Sequence, residues 1–432
     1  MLTYRTLWVA LGMAVLVVLT PGLFWLWLGL LVAGIAVDLF ACASPRQVRV
    51  TREETRPTRT GEKTTAHTRL ENLSGRTLRG WVKDGWQPTA GALNGLQQVQ
   101  IGTTEPTVVS VRLVPQRRGQ LHSEHLSLRS VGPLGLSGRQ VVHRVPQTLQ
   151  VLPEFASRKH LPSKLSRLRE LDGATAVQLP GAGSEFDSLR DYVRGDDVRS
   201  IDWRATARRQ DSAGQHLVVR TWRPERDRRV ILCLDASRTS AARIADEPRL
   251  DAGLEAALLM GALASHAGDR VEFLSFAREV TARASSSERG IFLNVLSTAM
   301  SRVDPVMVEA DFSRLPGEVA AITSQKSLVV ILTAVDSPSL HEGLLPVLPA
   351  LTARHRVVVA SVRSPELVER AAGRETVSEV YAAAAAERSL IESEAAAAEL
   401  HAVGVDVVQA VPRQLPAALA DCYIRLKATG KL

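Results

Sequence analysis

The sequence predicts an α/β protein, a Rossmann-like parallel sheet preceded by a small β-sandwich and by two transmembrane helices at the N-terminus. Three observations predict this. Two long apolar runs open the chain, short alternating segments rich in Thr, Val and Arg follow, and after position 229 continuous Val/Ile/Leu stretches alternate with helical ones. Strands buried on both faces need no polar alternation, so the last pattern reads as a parallel sheet covered by helices on each side. At 432 residues the chain exceeds what one core holds. The expected divisions are 1–43 for the hairpin, 44–153 for the sandwich, 154–229 for a linker with an Arg/Asp-rich segment, and 230–432 for the α/β domain.

Residues 7–19 and 23–37 are apolar, separated by Thr20-Pro21-Gly22. Each run alone is short of the roughly 20 residues a span requires, but 2–19 and 22–43 reach that length with Arg5 and Asp38 at the interfaces. A cleaved signal peptide is the rival reading, with the first run as its apolar region. The second run follows at once without a cleavage site, which favours a hairpin. Arg5 precedes the first run, Arg46, Arg49, Arg52, Arg56 and Arg59 follow the second, and the turn is uncharged. Both ends should therefore face the cytoplasm, with the soluble part cytoplasmic.

Alternating segments at 47–51, 63–70, 78–83, 97–102, 107–114, 120–129 and 140–151 predict the sandwich, with turn signals at Asn72-Leu73-Ser74-Gly75, Asp84-Gly85 and Gly132-Pro133 between them. His122, His125 and His143 are its only metal candidates, and solvated strand histidines explain them better. Residues 155–180 read as a linker holding one basic helical stretch, 161–171, either solvated or laid against anionic lipid. Expected strands at 230–234, 270–276, 328–333, 356–362 and 405–410 alternate with helices at 249–266, 290–300, 316–323, 343–352, 377–403 and 414–428.

Lys and Arg outnumber Asp and Glu by 53 to 45. An arginine excess favours anionic surfaces, but no aromatics interleave the basic runs, which argues against nucleic acid. Cys42, Cys233 and Cys422 are too few and scattered for a disulfide framework or a zinc site. No Walker lysine motif, nucleophile elbow or His-Glu-x-x-His helix is present.

Two constellations carry chemistry. Ligands of open parallel sheets bind beyond the carboxyl ends of the strands, and there the first strand ends on Asp235 with Ser237 and Thr239 following at i+2 and i+4. These oxygen donors suit Mg²⁺ or Ca²⁺. Asp235-Ala236-Ser237-Arg238-Thr239 resembles the metal-ion-dependent adhesion loop of von Willebrand factor A domains. That resemblance implies a further aspartate after a later core strand, but Thr333-Ala334 stands there. Asp336 is the nearest substitute, and Thr281 is a candidate for a further threonine ligand. The second constellation is Glu185, Phe186, Arg190, Tyr192, Gly195, Asp196, Asp197, Arg199, Asp202, Trp203 and Arg208. Its carboxylates read either as a catalytic acid cluster or as an ion-pair network, with Trp203 packed beside the arginines, that supports the Asp235 loop.

The stretches Gly183-Ser184-Glu185-Phe186, Leu189-Arg190-Asp191-Tyr192, 195–203 and 220–225 closely resemble the bacterial family known as domain of unknown function 58. The resemblance extends to Gly132-Pro133-Leu134-Gly135-Leu136 and Val151-Leu152-Pro153-Glu154. It implies a protein tethered to the bacterial plasma membrane, with a von Willebrand A-like domain, that works with a MoxR-type AAA+ ATPase in assembling or maturing client proteins. The expected role is a non-enzymatic interaction scaffold. The alternatives are a metal-dependent hydrolase using Asp235, Asp336, Asp196 and Asp197, or a metal-dependent adhesion-type binding module.

Overall fold

The computed structural model describes residues 1–175, 185–193, 196–208, 210–211, 214–215, 217–223, 228–244, 247–285, 289–335 and 340–432. The chain forms two compact units, Met1–Glu154 and Phe155–Leu432.

In the first unit, α1 (Tyr4–Leu19) and α2 (Phe24–Ala41) are joined by a 3-10 turn at Pro21–Leu23. Of the two expected spans, one is supported by length and composition. One stretch, Pro21–Gln47, is long and apolar enough to cross a membrane, whereas α1 has 16 residues and is shorter. The start of α1 and the end of α2 converge on one loop of the sandwich. The Thr3 N–H donates to the Leu136 carbonyl at 3.1 Å, and the Thr6 hydroxyl donates to the same oxygen. Asp38, expected at a membrane interface, is fully buried in the structure. Its Oδ1 accepts the Leu134 N–H at 2.7 Å and its Oδ2 accepts the Ser137 N–H at 2.6 Å and the Ser137 hydroxyl at 3.2 Å. Gly132 is what permits this approach, since a Cβ there would stand 2.3 Å from Asp38 Oδ1.

The sandwich follows the alternation of its sequence. A three-stranded antiparallel sheet has Thr64–Asn72 between Val48–Arg52 and Thr107–Leu113. A five-stranded sheet runs Thr58–Arg59, Gly138–Leu152, Gly119–Val131, Leu78–Trp86, Leu96–Ile101. Along Leu78–Trp86 every second residue is buried, which places Leu78 and Val82 in the core with Leu70, Leu126 and Leu128. The same alternation carries Asp84 inward. Asp84-Gly85, expected as a turn, lies inside this strand at a bulge, where a Cβ on Gly85 would meet the His125 carbonyl at 2.8 Å.

Asp84 is satisfied in the interior by a fork of two bonds from Arg52, at 2.9 and 3.1 Å. Ser123 Oγ and Trp86 Nε1 also donate to it, at 2.6 and 3.0 Å. Arg52 in turn reaches Gln147 Oε1 at 2.8 Å. The two charged side chains are 4% and 2% exposed.

The second unit is built on a six-stranded sheet of β1 (Arg229–Asp235), β2 (Arg270–Phe276), β3 (Val280–Ser285), β4 (Leu328–Leu332), β5 (Arg356–Val362) and β6 (Asp406–Ala410). Its order is β3-β2-β1-β4-β5-β6. All neighbours pair in parallel except β2 and β3, which are antiparallel. The sheet is thus mixed, where the sequence predicted it parallel. β3 went unread because its Val-Thr-Ala-Arg-Ala-Ser alternation is that of an edge strand with one exposed face.

β1 is buried on both sides. Val230, Leu232 and Leu234 enter one core layer and Ile231 and Cys233 the other. Burial pushes the Cys233 thiol pKa strongly upward, as expected of a small buried core residue. Arg249–His266 forms a helix at the expected positions, and its Leu/Ala surface fills the first layer. The stretch 343–352, read as one helix, is broken into a π turn (Leu340–Leu344), a 3-10 turn (Leu345–Val347) and a short helix (Leu348–Thr352). Pro346 and Pro349 interrupt its ladder of amide donors. Residues 155–171, read as part of a linker, are packed: Phe155 and Leu168 are buried in the first layer. Lys164 and Arg167, considered for lipid contact, both donate to Asp421, at 2.6 and 3.0 Å.

Candidate functional site

β1 is central and delivers Asp235 to the carboxyl edge of the sheet, where it is 1% exposed. The chain leaves the strand in a tight turn. Asp235 Oδ1 accepts the Ser237 N–H at 2.8 Å, and the Ser240 hydroxyl donates to the Asp235 carbonyl at 2.6 Å. Oδ2 accepts two hydroxyls, Thr239 at 3.2 Å and Thr333 at 2.7 Å. Ser237 Oγ and Thr239 Oγ1 lie 3.2 Å apart. One carboxylate and three hydroxyls therefore converge, two of the hydroxyls from the Asp235 turn itself and the third, Thr333, from beyond β4.

Thr333 is the member that sequence reasoning missed. It follows β4, which pairs directly with β1, so its hydroxyl is carried to Asp235 from 98 residues away. Its place in the Thr-Ala pair was the available signal. Ala334 is buried at 3% and supplies no donor. Asp336 lies outside the described residues. Thr281 is not part of the cluster, because its hydroxyl donates to the Ser275 carbonyl and Ser275 Oγ in the β2–β3 hairpin. The oxygen set suits a hard cation in donor type, but it holds a single carboxylate, and no group of three His, Cys, Asp or Glu side chains gathers among the described residues.

A second segment borders the loop. Val306 N–H donates to the Ala236 carbonyl and Arg238 N–H to the Val308 carbonyl, at 2.8 and 2.9 Å, while Arg238 pairs with Glu309. This bonding holds Val306 and Met307 beside the Asp235 turn with 41% and 71% of their surface exposed. Nothing in the local sequence marks them.

The Arg/Asp-rich segment is a ribbon of Glu185–Asp191 paired antiparallel with Val218–Arg223. Glu185 and Phe186 lie opposite Arg223 and Trp222 in its register, and Gly195 lies outside the described residues. Arg190 holds Asp196 at 2.6 Å, and the Val193 N–H adds a bond of 2.9 Å. Tyr192 continues the pairing through its N–H to the Leu217 carbonyl. Asp197 accepts the Arg199 N–H at 2.9 Å. Asp202 caps the short helix Trp203–Arg208, accepting from the Arg204 and Ala205 amides at 2.9 and 3.0 Å and from Arg220 Nε at 2.7 Å.

Asp196, Asp197 and Asp202 are thus turn and cap residues whose bonds stay within 190–220. Two expectations are corrected. Trp203 is 66% exposed instead of packed among the arginines; it occupies the first helical position after the cap. The aspartates fix the ribbon to itself, and among the described residues they make no bond to the Asp235 loop. Arg199 and Arg208 are exposed.

These bonds set an acid limit. The Ala205 amide, then Arg220, hold the Asp202 carboxyl below its ordinary 3.8, and the Arg190 guanidinium, then the Val193 amide, do the same for Asp196. A depressed native value means that their contribution is complete at neutral pH and is lost as the pH falls below 3.8 through the native values. The ribbon is therefore expected to become protease-sensitive in that acid range before the six-stranded sheet unfolds. Asp202→Asn should show much of that sensitivity already at pH 7, read by limited proteolysis with mass mapping.

Strand order, register and the Asp235 turn define a mixed α/β domain. Residues 188–397 match the family described as "Protein of unknown function DUF58". The uncharacterized proteins Rv1480 of Mycobacterium tuberculosis and Mb1516 of Mycobacterium bovis are each 28% identical over 195 residues, which is 44% of this chain. The chain spans 58% of the length of these relatives. Among solved structures, the SpRpn10 VWA domain aligns over 45% of this chain and 94% of its own, with 11% identity and a TM-score of 0.30. An aerotolerance-related membrane protein from Bacteroides fragilis aligns over 47% and 99%, with 13% identity and a TM-score of 0.27. The fold assignment stands on strand order and register.

Proposed function

We propose that the chain is a membrane-anchored, non-enzymatic interaction scaffold whose Asp235 edge receives a protein partner. α1 and α2 would form a transmembrane hairpin with both ends cytoplasmic, and the parallel core of the sheet would be Rossmann-like in the manner of von Willebrand A domains. One observation carries this reading: the exposed Val306–Met307 rim is bonded directly to a rigid, fully hydrogen-bonded Asp235 turn. Exposed methionine beside a fixed polar turn suits an adaptable protein contact. By the family resemblance, the partner is a MoxR-type AAA+ ATPase together with its clients, and the ATP chemistry belongs to that partner.

A second reading, a metal-dependent adhesion-type module, draws on the convergence of Asp235, Ser237, Thr239 and Thr333. In it Mg²⁺ or Ca²⁺ would be held by these oxygens and would complete its shell with a partner's carboxylate. The two readings separate experimentally. In capture of the ATPase from membranes by tagged protein, Met307→Glu should abolish recovery in either case. Chelation with EDTA should leave recovery unchanged under the first reading and abolish it under the second. Capture that survives both Met307→Glu and Asp235→Ala would remove the Asp235 edge from both.

A further inference from the structure

Beside the ends of the N-terminal helices the first unit has a cavity of about 670 Å³, lined by Leu39, Ser44, Arg46, Arg139, Gln140 and Val141 among others. Its charge is uncompensated. Arg139 donates to the Leu39 carbonyl at the end of α2 at 3.1 Å, and Arg46 is exposed. Neither arginine meets a carboxylate among the described residues. The nearby acid, Asp38, is fully buried and both its oxygens are occupied by Leu134 and Ser137. Leu39 and Val141 give the cavity an apolar side, and exposed apolar residues lie close by in the chain. Phe40 is 78% exposed and Leu134 is 53% exposed on the loop that receives Asp38. Two guanidiniums without a carboxylate partner, amide and hydroxyl donors at Gln140 and Ser44, and apolar side chains at the end of an apolar helix together match a phosphodiester with acyl chains attached.

We propose that this cavity binds the phosphate headgroup of an anionic phospholipid of the leaflet into which the helices insert, a reading that rests on the anchoring proposed above. The lipid would neutralise Arg46 and Arg139 and fix the junction between the helices and the sandwich. Free phosphate shares the recognising chemistry, and the test separates the two sources.

The full chain is placed in nanodiscs of phosphatidylcholine alone or mixed with phosphatidylglycerol, then released into detergent, and the retained lipid is read by native mass spectrometry. Phosphatidylglycerol should be retained preferentially, and Arg46→Gln should weaken retention about fivefold, with a like further loss on adding Arg139→Gln. Arg46 is exposed, so its single variant does not depend on the fold surviving loss of the Arg139–Leu39 bond. Arg49→Gln, whose side chain pairs with Glu71 on the exposed strand face, should retain lipid like the parent. Equal retention of both lipids, or retention unaffected by the Arg46 and Arg139 changes, overturns the proposal. Thermal stabilisation of the detergent-solubilised protein by inorganic phosphate equal to that by phosphatidylglycerol overturns the lipid as the source. Failure of the anchoring itself would appear differently, as protein that never enters the nanodisc.

Discussion

Asp84→Ala is expected to destabilise the sandwich by about 3–5 kcal/mol, because it leaves the Arg52 guanidinium charged, buried and without its carboxylate. For a domain of this size that corresponds to a fall in Tm of roughly 10–20 °C. Ser123 and Trp86 lose their acceptor in the same change, so the loss is not confined to one pair. Arg49→Ala provides the contrast. Its partner Glu71 is 48% exposed and the arginine itself 63%, and an ion pair so placed contributes about 0–1 kcal/mol. Scanning calorimetry of the two variants checks the comparison, and similar melting temperatures would show that the Arg52–Asp84 network does not hold the sandwich together.

The second large effect is expected where the helices meet the sandwich. Asp38→Ala leaves the Leu134 and Ser137 amides without an acceptor, at about 1–3 kcal/mol for each buried group. Gly132→Ala attacks the same contact from the other side, since its methyl would stand 2.3 Å from Asp38 Oδ1 and 2.6 Å from the Asp38 carbonyl. Either change should release the loop around Gly132-Pro133-Leu134-Gly135-Leu136 from α2, seen as faster hydrogen exchange at the Leu134 and Ser137 amides. Gly102→Ala, where a Cβ meets nothing within 4 Å, should leave that exchange unchanged. Unaltered exchange in Asp38→Ala would mean that the buried carboxylate does not hold the loop.

The Gly-Pro-Leu-Gly-Leu motif shows how far sequence reading reached. It was singled out by resemblance and read as a turn, but its purpose was not legible. The residues that use it are Asp38, Thr3 and Thr6, and Asp38 itself looked like an interfacial residue at the end of an apolar run. The opposite error occurred at Asp84-Gly85, where a dipeptide that ordinarily marks a turn sits within a strand, its buried carboxylate accepting hydrogen bonds from an arginine 32 residues earlier. At the candidate site the Asp235, Ser237 and Thr239 spacing was legible, since all three lie in one turn. Thr333 and Met307 were not.

The sequence by itself determined the elements: the alternating sandwich strands, the apolar strands β1, β2, β4, β5 and β6, and the helix Arg249–His266 at the expected limits. Those features follow from periodicity and end signals, which are properties of neighbouring residues. Only the tertiary structure decided which polar groups complete one another: Asp38 with Leu134 and Ser137, Arg52 with Asp84, Asp235 with Thr333. A carboxylate taken out of water must find donors wherever the packed backbone brings them. Helices and sheets bring them from 32 to 99 residues away, beyond the reach of any local pattern.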